Sequence, residues 1–376
     1  MLPTAAGLVL LDTSSNCLWA YNDSARQVWE RLEEGRAGDD LASDFARQYG
    51  IPDEIASRDV RAIIDQWRSK GLLSADGGND PPAGPAADDA PDWSGASEPQ
   101  WSEALTCTIR NKVFALAIEP AEAAALMRYM FRHLETPGAQ PDFRLEVRAA
   151  GNGEEAVLVN GIERLRTADS GQIVGAIDQT LLGYLHPEID WLAMIHGGAV
   201  ARDGAGFAIP GACGSGKTTL IAHLVAERGY SYIADDLVAL AAPDGRIVPW
   251  PMPLNPKEGS WELLSKSYPH LTRSAKHRMS RAEVRQILPR PDAWDADPVP
   301  MRGFIFPRYV AGAVPRLTRL TSFEALERLL GDRIWLGYPI TERRARDFIG
   351  WLDHMPAFAL VHGNVAAAAD LLGDIV

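Results

Sequence analysis

The segment GFAIPGACGSGKTTLIAHLVAERG constrains this chain more than any other. An apolar run from Gly206 to Ile209 leads into Gly211, four residues follow, and then come Gly216, Lys217 and Thr218. From Thr218 to Arg228 the apolar spacing is that of a helix. The pattern is the phosphate loop G-x4-G-K-[ST] in its working context, after a strand and before a helix, so the surrounding module is expected to be α/β. Gly211, Gly214 and Gly216 let the backbone turn its N–H groups inward, and the helix N-terminus adds partial positive charge. The expected nucleotide contacts are Gly211, Ala212, Cys213, Gly214, Ser215, Gly216, Lys217, Thr218 and Thr219. Lys217 is placed to reach the β- and γ-phosphates and the Thr218 hydroxyl to ligate Mg²⁺, while Cys213 reads as a small filler.

What becomes of a bound nucleotide depends on the next acid. The run YSYIADDLVAL delivers Asp235 and Asp236, with Asp235 lying 18 residues beyond Lys217. An acid at the carboxyl end of a strand beside a phosphate loop binds Mg²⁺ or takes a proton from an attacking hydroxyl. Neighbours on a strand face opposite ways, so one of the two is expected to point at the phosphates. His196 closes an apolar run 15 residues before Gly211 and, taken alone, reads as an ordinary buried histidine. Downstream, VPWPMPLNPKEGSWELL carries Lys257 and Glu258 in a Pro- and Trp-rich loop, with Lys257 a candidate second phosphate contact. The basic run KHRMSRAEVRQ reads as a solvated helix face, and His354 and His362 as structural.

Between Asp76 and Gln100 there is no Leu, Ile or Val, and five prolines alternate with Gly, Ala and Asp. Such a stretch buries too little apolar area to offset its ordering entropy and is expected to be a disordered acidic linker. It separates a small module, residues 1–75, from a large one, whose residues 101–190 read as an α/β portion ahead of a nucleotide core at 191–376. The net charge is -13, of which the small module carries -4 from 12 acids and 8 bases, and the linker -6. The acidic balance argues against nucleic acid or an anionic membrane as a partner. Cys17, Cys107 and Cys213 stand apart without zinc spacing, and no run of about 18 uncharged apolar residues is present. The expected compartment is the cytoplasm.

In the small module, GLVLL and CLWAY read as strands joined by DTSSN, and Asn22 or Asp23 caps a helix through Trp29 and Leu32. Leu41, Phe45 and Tyr49 mark a second helix; Ile55, Val60, Ile63, Ile64 and Trp67 mark a third, with Leu72 and Leu73 as a final strand. This winged-helix pattern, with VWERLEEG, Tyr49-Gly50 and Lys70-Gly71-Leu72-Leu73 at its element ends, resembles the PqqD-like family. The resemblance implies a domain that holds the leader segment of a ribosomally made precursor peptide, by strand addition to a sheet edge.

The order H-x14-G-x4-GKT-x16-DD resembles the catalytic core of the HPr kinase/phosphorylase family, most clearly from about Ile195 to Leu240. The resemblance implies phosphorylation of a serine-type hydroxyl with ATP or GTP and Mg²⁺. Lys217 and Thr218 would hold phosphates and metal. Asp235 falls where the family has its general base, and Asp236 and His196 would orient it. The family's glycine-rich signature with a Mg-binding glutamate is replaced by VPWPMPLNPKEGSWELL, which leaves HPr as substrate and reverse phosphorylase activity open. HPr kinases are often hexameric, which leaves a homo-oligomer open, though the sequence marks no oligomer interface. The expectation is a P-loop HPr-kinase-like α/β catalytic domain behind a small winged-helix PqqD-like domain, acting on a hydroxyl of a captured precursor peptide. The alternatives are a kinase of a small hydroxylated metabolite or free serine, and a nucleotide-gated peptide chaperone.

Overall fold

A computed structural model of the chain describes residues 2–3, 7–12, 17–36, 38–70, 72–73, 100–168, 170–279, 282–337 and 340–373. The linker expected at 76–100 lies, except for Gln100, outside the described residues.

The N-terminal module has strands β1 (Leu2–Pro3), β2 (Gly7–Asp12) and β3 (Cys17–Asn22), paired antiparallel in that order. Helices α1 (Asp23–Glu33), α2 (Gly38–Tyr49) and α3 (Asp53–Ser69) follow. Asn22 is the N-cap of α1, its side chain accepting from the Ala25 N–H at 3.0 Å. Leu8, Leu10 and Tyr21 on one sheet face pack with Val28, Leu41, Phe45, Val60, Ile64 and Trp67. The Trp67 ring meets Tyr21 and Trp29 edge-on at 5.6 and 5.1 Å. Three expectations are corrected. Leu72 and Leu73 form no strand; the Leu72 N–H bonds the Trp67 carbonyl at 2.9 Å, and both side chains pack against the helices. The third strand is instead Leu2–Pro3. Ile55 and Tyr49 are exposed, because the buried stripe of α3 begins at Ala56 and Tyr49 lies beyond the core, stacked on Phe45.

Next come β4 (Glu103–Ile109), β5 (Lys112–Ile118), α4 (Ala121–Phe131), β6 (Phe143–Gly151), β7 (Glu154–Val159), β8 (Ile162–Thr167) and α5 (Ser170–Leu185). They build a five-stranded sheet in sequence order. Only β5 and β6 run parallel, and α4 makes the crossover that a parallel pair needs.

The remainder holds β9 (Trp191–Ile195), β10 (Gly197–Arg202), β11 (Ala205–Pro210), α6 (Lys217–Glu227), β12 (Ser231–Ala234), β13 (Val238–Ala241) and β14 (Arg246–Val248). It continues with α7 (Glu258–Leu264), β15 (His277–Met279), β16 (Ala282–Val284), β17 (Met301–Tyr309), β18 (Arg316–Leu320) and α8 (Ser322–Leu330). It closes with β19 (Ile334–Trp335), α9 (Glu342–Leu352), β20 (Ala357–His362) and α10 (Val365–Gly373). The main sheet has the order β12-β10-β11-β17-β20-β18. The pairings make β11, β12, β17 and β20 run one way and β10 and β18 the other. Four carboxyl ends therefore meet at one sheet edge, where open α/β sheets bind ligands. A smaller sheet, β14-β13-β9-β19, lies beside it. Helices α6 and α10 cover one face of the main sheet through Ile221, Leu224, Ala368 and Leu372, while Ala199, Ala208, Phe304 and Phe306 on the other face join the core shared with the smaller sheet, α8 and α9.

The basic run around Lys276 is a strand pair, β15 with β16, and not a helix face. Lys276 bonds Glu283 at 2.8 Å, Arg285 lies over the Trp261 ring, and His277 stacks on Tyr129 at 4.1 Å. Short-range pairing of this kind satisfies the cations locally.

The open face of the N-terminal sheet packs on α8. Val9 belongs to the main core, with Leu11, Leu18 and Ala20 against it, and a Cβ on Gly7 would lie 2.3 Å from the Phe323 ring. The module expected to hang from a flexible tether is docked against the large one.

Candidate functional site

Strand β11 ends at Pro210 and the chain turns through residues 211–216 into α6. Gly214 and Gly216 have φ of 87° and 95°, a region open to glycine, and so the turn closes over its own N–H groups. The tip, Ala212, Cys213 and Gly214, is exposed. Lys217 is buried, its ammonium donating to the Gly211 carbonyl and, at 3.3 Å, to that of Ala212. Thr218 and Thr219 occupy the first turn of α6. Lys257, just before α7, reaches the loop from outside, its ammonium against Cys213 Sγ.

On one flank of the loop, β12 ends at Ala234 and delivers both acids. Asp235 is 1% exposed. Its Oδ2 accepts from the Thr218 hydroxyl at 3.2 Å, and its Oδ1 has no hydrogen-bond partner. Burial, then the neighbouring Asp236 charge, pushes its pKa up to about 8, against the pull of Lys217 and Thr218. Gly198 on β10 makes room for it, since a Cβ there would lie 3.0 Å from the Ala234 carbonyl and 3.2 Å from Asp235 Oδ1. Asp236 turns the chain with φ 66°, a conformation that Asp tolerates better than most residues, and its side chain is half exposed.

His196 sits directly after β9 with Nε2 4.0 Å from Asp236 Oδ1. Its Nδ1 meets Asp332 Oδ1 at 2.9 Å, and its backbone N–H bonds the Arg333 carbonyl at 2.8 Å. Burial raises the Asp332 carboxyl, but the hydrogen bond and charge of His196, with Lys217 and Arg333 further off, bring it net below its ordinary value. An ionised Asp332 on Nδ1 fixes the imidazole ring and leaves Nε2 facing the acids.

The structure thus brings His196, Lys217, Thr218, Asp235 and Asp236 together at one sheet edge with Lys257 across the loop. Sequence reasoning passed over Asp332, which is 136 residues from His196. It also passed over Asp178 on α5, a carboxyl 6% exposed with Oδ1 unpartnered. Burial, then Asp236, raises the Asp178 pKa to about 8, with the Trp250 indole opposing. His362, read as structural, is buried but lies beside the loop of residues 211–216, its Nε2 3.7 Å from where a Gly216 Cβ would stand.

The buried, unpaired Asp235 oxygen beside the Thr218 hydroxyl is a set of hard oxygen donors that fits Mg²⁺. Among the described residues no group of three or more His, Cys, Asp or Glu side chains forms a protein cage for a metal. Among them, too, no helix is long and apolar enough to cross a membrane.

Residues 7–73 match the family model described as Coenzyme PQQ synthesis protein D (PqqD). No curated protein matches the chain. The chain thus carries a PqqD domain at its N-terminus, ahead of a mixed α/β remainder.

Proposed function

We propose that the chain is a nucleotide- and Mg²⁺-dependent kinase of the HPr-kinase-like type, which phosphorylates a serine-type hydroxyl on a ribosomally made peptide held by its PqqD domain. The observation that carries the reading is the buried Asp235 carboxyl bonded to Thr218, the residue after Lys217, with the adjoining Asp236 carboxylate 4.0 Å from His196 of the His196–Asp332 pair. A nucleotide binder alone has no use for this second constellation.

Lys217 exchanges the loop carbonyls for β- and γ-phosphate oxygens when nucleotide enters, and Lys257 covers the loop tip. Mg²⁺, held by Thr218 and an Asp235 oxygen, would neutralise charge on the transferring phosphoryl group. In the transfer itself, the acceptor oxygen forms the new P–O bond as the bond to the nucleoside diphosphate breaks, and the hydroxyl proton passes to the aspartate pair. His196, fixed by Asp332, holds Asp236 in place. The PqqD domain supplies the peptide, and β3, an edge strand of its sheet, offers backbone groups for strand addition.

The test is mass spectrometry of the precursor peptide encoded beside this gene after incubation with protein, ATP and Mg²⁺. One added phosphate, lost in Lys217→Ala and Asp235→Asn and reduced when residues 1–75 are deleted, is the expected result. Turnover of free serine or a small hydroxylated metabolite without peptide would replace the peptide reading, and nucleotide binding without any transfer would replace the kinase.

A further inference from the structure

The phosphate loop has two flanks, and only one is acidic. Asp235, Asp236, His196 and Asp332 all lie on the β12 and β9 side. On the other side the carboxyl ends of β17 and β20 present, among the described residues, Tyr309 and His362 and no carboxylate. We propose that this second flank binds the nucleobase, with the Tyr309 ring as its stacking platform. The inference rests on the reading of residues 211–219 as a nucleotide site and assigns the part of the nucleotide which that reading leaves unplaced.

Three observations support it. First, Tyr309 is tied to the phosphate loop itself: its backbone N–H bonds the Ser215 carbonyl at 3.0 Å, and its Cβ lies 3.5 Å from where a Gly216 Cβ would stand. Second, the ring is held and yet open. It meets the buried His362 ring at 5.8 Å in an edge arrangement, while the residue remains 54% exposed. Third, the apolar residues after it are kept out in solvent by a closed turn. The Val310 N–H bonds the His362 carbonyl at 2.9 Å, the Ala313 N–H bonds Val310 at 3.0 Å, and the Gly363 N–H bonds Ala313 at 2.9 Å. Gly363 permits this contact, because a Cβ would stand 2.6 to 2.8 Å from the turn's backbone. Val310 and Val314 are thereby left 38% and 84% exposed.

A rigidly held aromatic with aliphatic neighbours, set in water beside a phosphate site, is what a base needs: a π face to stack on and apolar surface to cover. The opposite flank is unsuited, since its carboxylates belong with metal and acceptor. The parallel order of β11, β17 and β20 sets the base on the side away from Asp235, in the crevice beyond the strands' carboxyl ends.

The experiment compares Mg²⁺-dependent binding of ATP and of inorganic tripolyphosphate to the full chain, as wild type and as Tyr309→Ala, Tyr309→Phe and Tyr309→Trp. Removing the ring is expected to weaken ATP roughly tenfold or more, the scale of a lost base-aromatic stack, and to leave tripolyphosphate unchanged. Tyr309→Phe should bind ATP as the wild type does, and the fluorescence of Tyr309→Trp should respond to ATP but not to tripolyphosphate. Equal affinity of wild type and Tyr309→Ala for ATP, or an equal loss for both ligands, would overturn the platform. A wild-type protein that binds neither ligand would instead overturn the nucleotide site, and the platform with it.

Discussion

Replacing Asp178 by Asn should stabilise the protein, and by an amount that depends on pH in a definite sense. The Asp178 carboxyl is buried on α5, and burial with the nearby Asp236 charge raises its pKa to about 8, whereas an unfolded aspartate titrates near the ordinary 3.8. An acid with a raised folded pKa is protonated in the native state while the unfolded chain has already released its proton. Its contribution to stability is therefore complete below the unfolded pKa, falls as pH rises between the two values, and levels off above about pH 8. Each pH unit inside that window costs about 1.4 kcal/mol. From about pH 5.5 to about pH 7.5 the wild type should lose roughly 2 to 3 kcal/mol through this group. Asn has the shape of the protonated acid, can still accept from the Trp250 indole, and does not titrate. Asp235 also has a raised pKa but is present in both proteins, so it cancels in the comparison. Urea unfolding at the two pH values, followed by tryptophan fluorescence, should show the stability gap between Asp178→Asn and wild type widening by that amount. A gap that stays constant would mean that Asp178 is ionised in the folded protein, and the reasoning from its burial would be refuted.

Other perturbations test other parts of the site. Asp332→Ala should lower kcat by roughly tenfold to a hundredfold, because it frees the His196 ring, while the nucleotide Kd stays unchanged; steady-state kinetics beside equilibrium binding separates the two. Gly198→Ala should destabilise the large module by about 1 to 3 kcal/mol, since its Cβ meets Ile221 and the Ala234 carbonyl, and denaturant unfolding measures it. Trp67→Ala should cost the PqqD domain about 3 to 5 kcal/mol, visible as early loss of amide protection confined to residues 7–73 in hydrogen exchange.

The strand–turn–helix around residues 211–216 was legible because strand, glycines, lysine, threonine and helix occupy one stretch of chain. Asp235 and Asp236 were legible for a similar reason, as acids closing an apolar run. Lys257 could be singled out as a lone cation among Pro and Trp. Asp332 and Tyr309 gave no such signal, since an acid after a helix and an aromatic at a strand end are common, and only the pairing of β19 with β9 and of β17 with β11 makes them neighbours of the loop. Asp178 was hidden inside the helical run VGAIDQTLLGYL, where one acid among apolar residues reads as the solvent side; its burial comes from Trp250 and the smaller sheet, far off in sequence. Periodicity placed the helices of the PqqD domain correctly, but it could not distinguish Ala56 from Ile55 as the start of the buried stripe, because adjacent residues differ by only 100° around the helix.

Helix α8 has two neighbours that bear on each other. Near its first turn, locked by the Thr321 and Glu324 capping box, Phe323 carries the sheet of the PqqD domain. Two residues past its last turn, Asp332 grips His196. Nine helical residues span about 13 Å and do not compress. The helix is therefore a strut, and a displacement of the sheet at Phe323 can be absorbed only at Gly331 or passed on to the imidazole. On the proposed reading it is also a ruler: a solid length of protein separates a peptide held at that sheet from the loop of residues 211–216, and so sets the least number of residues that can span the two.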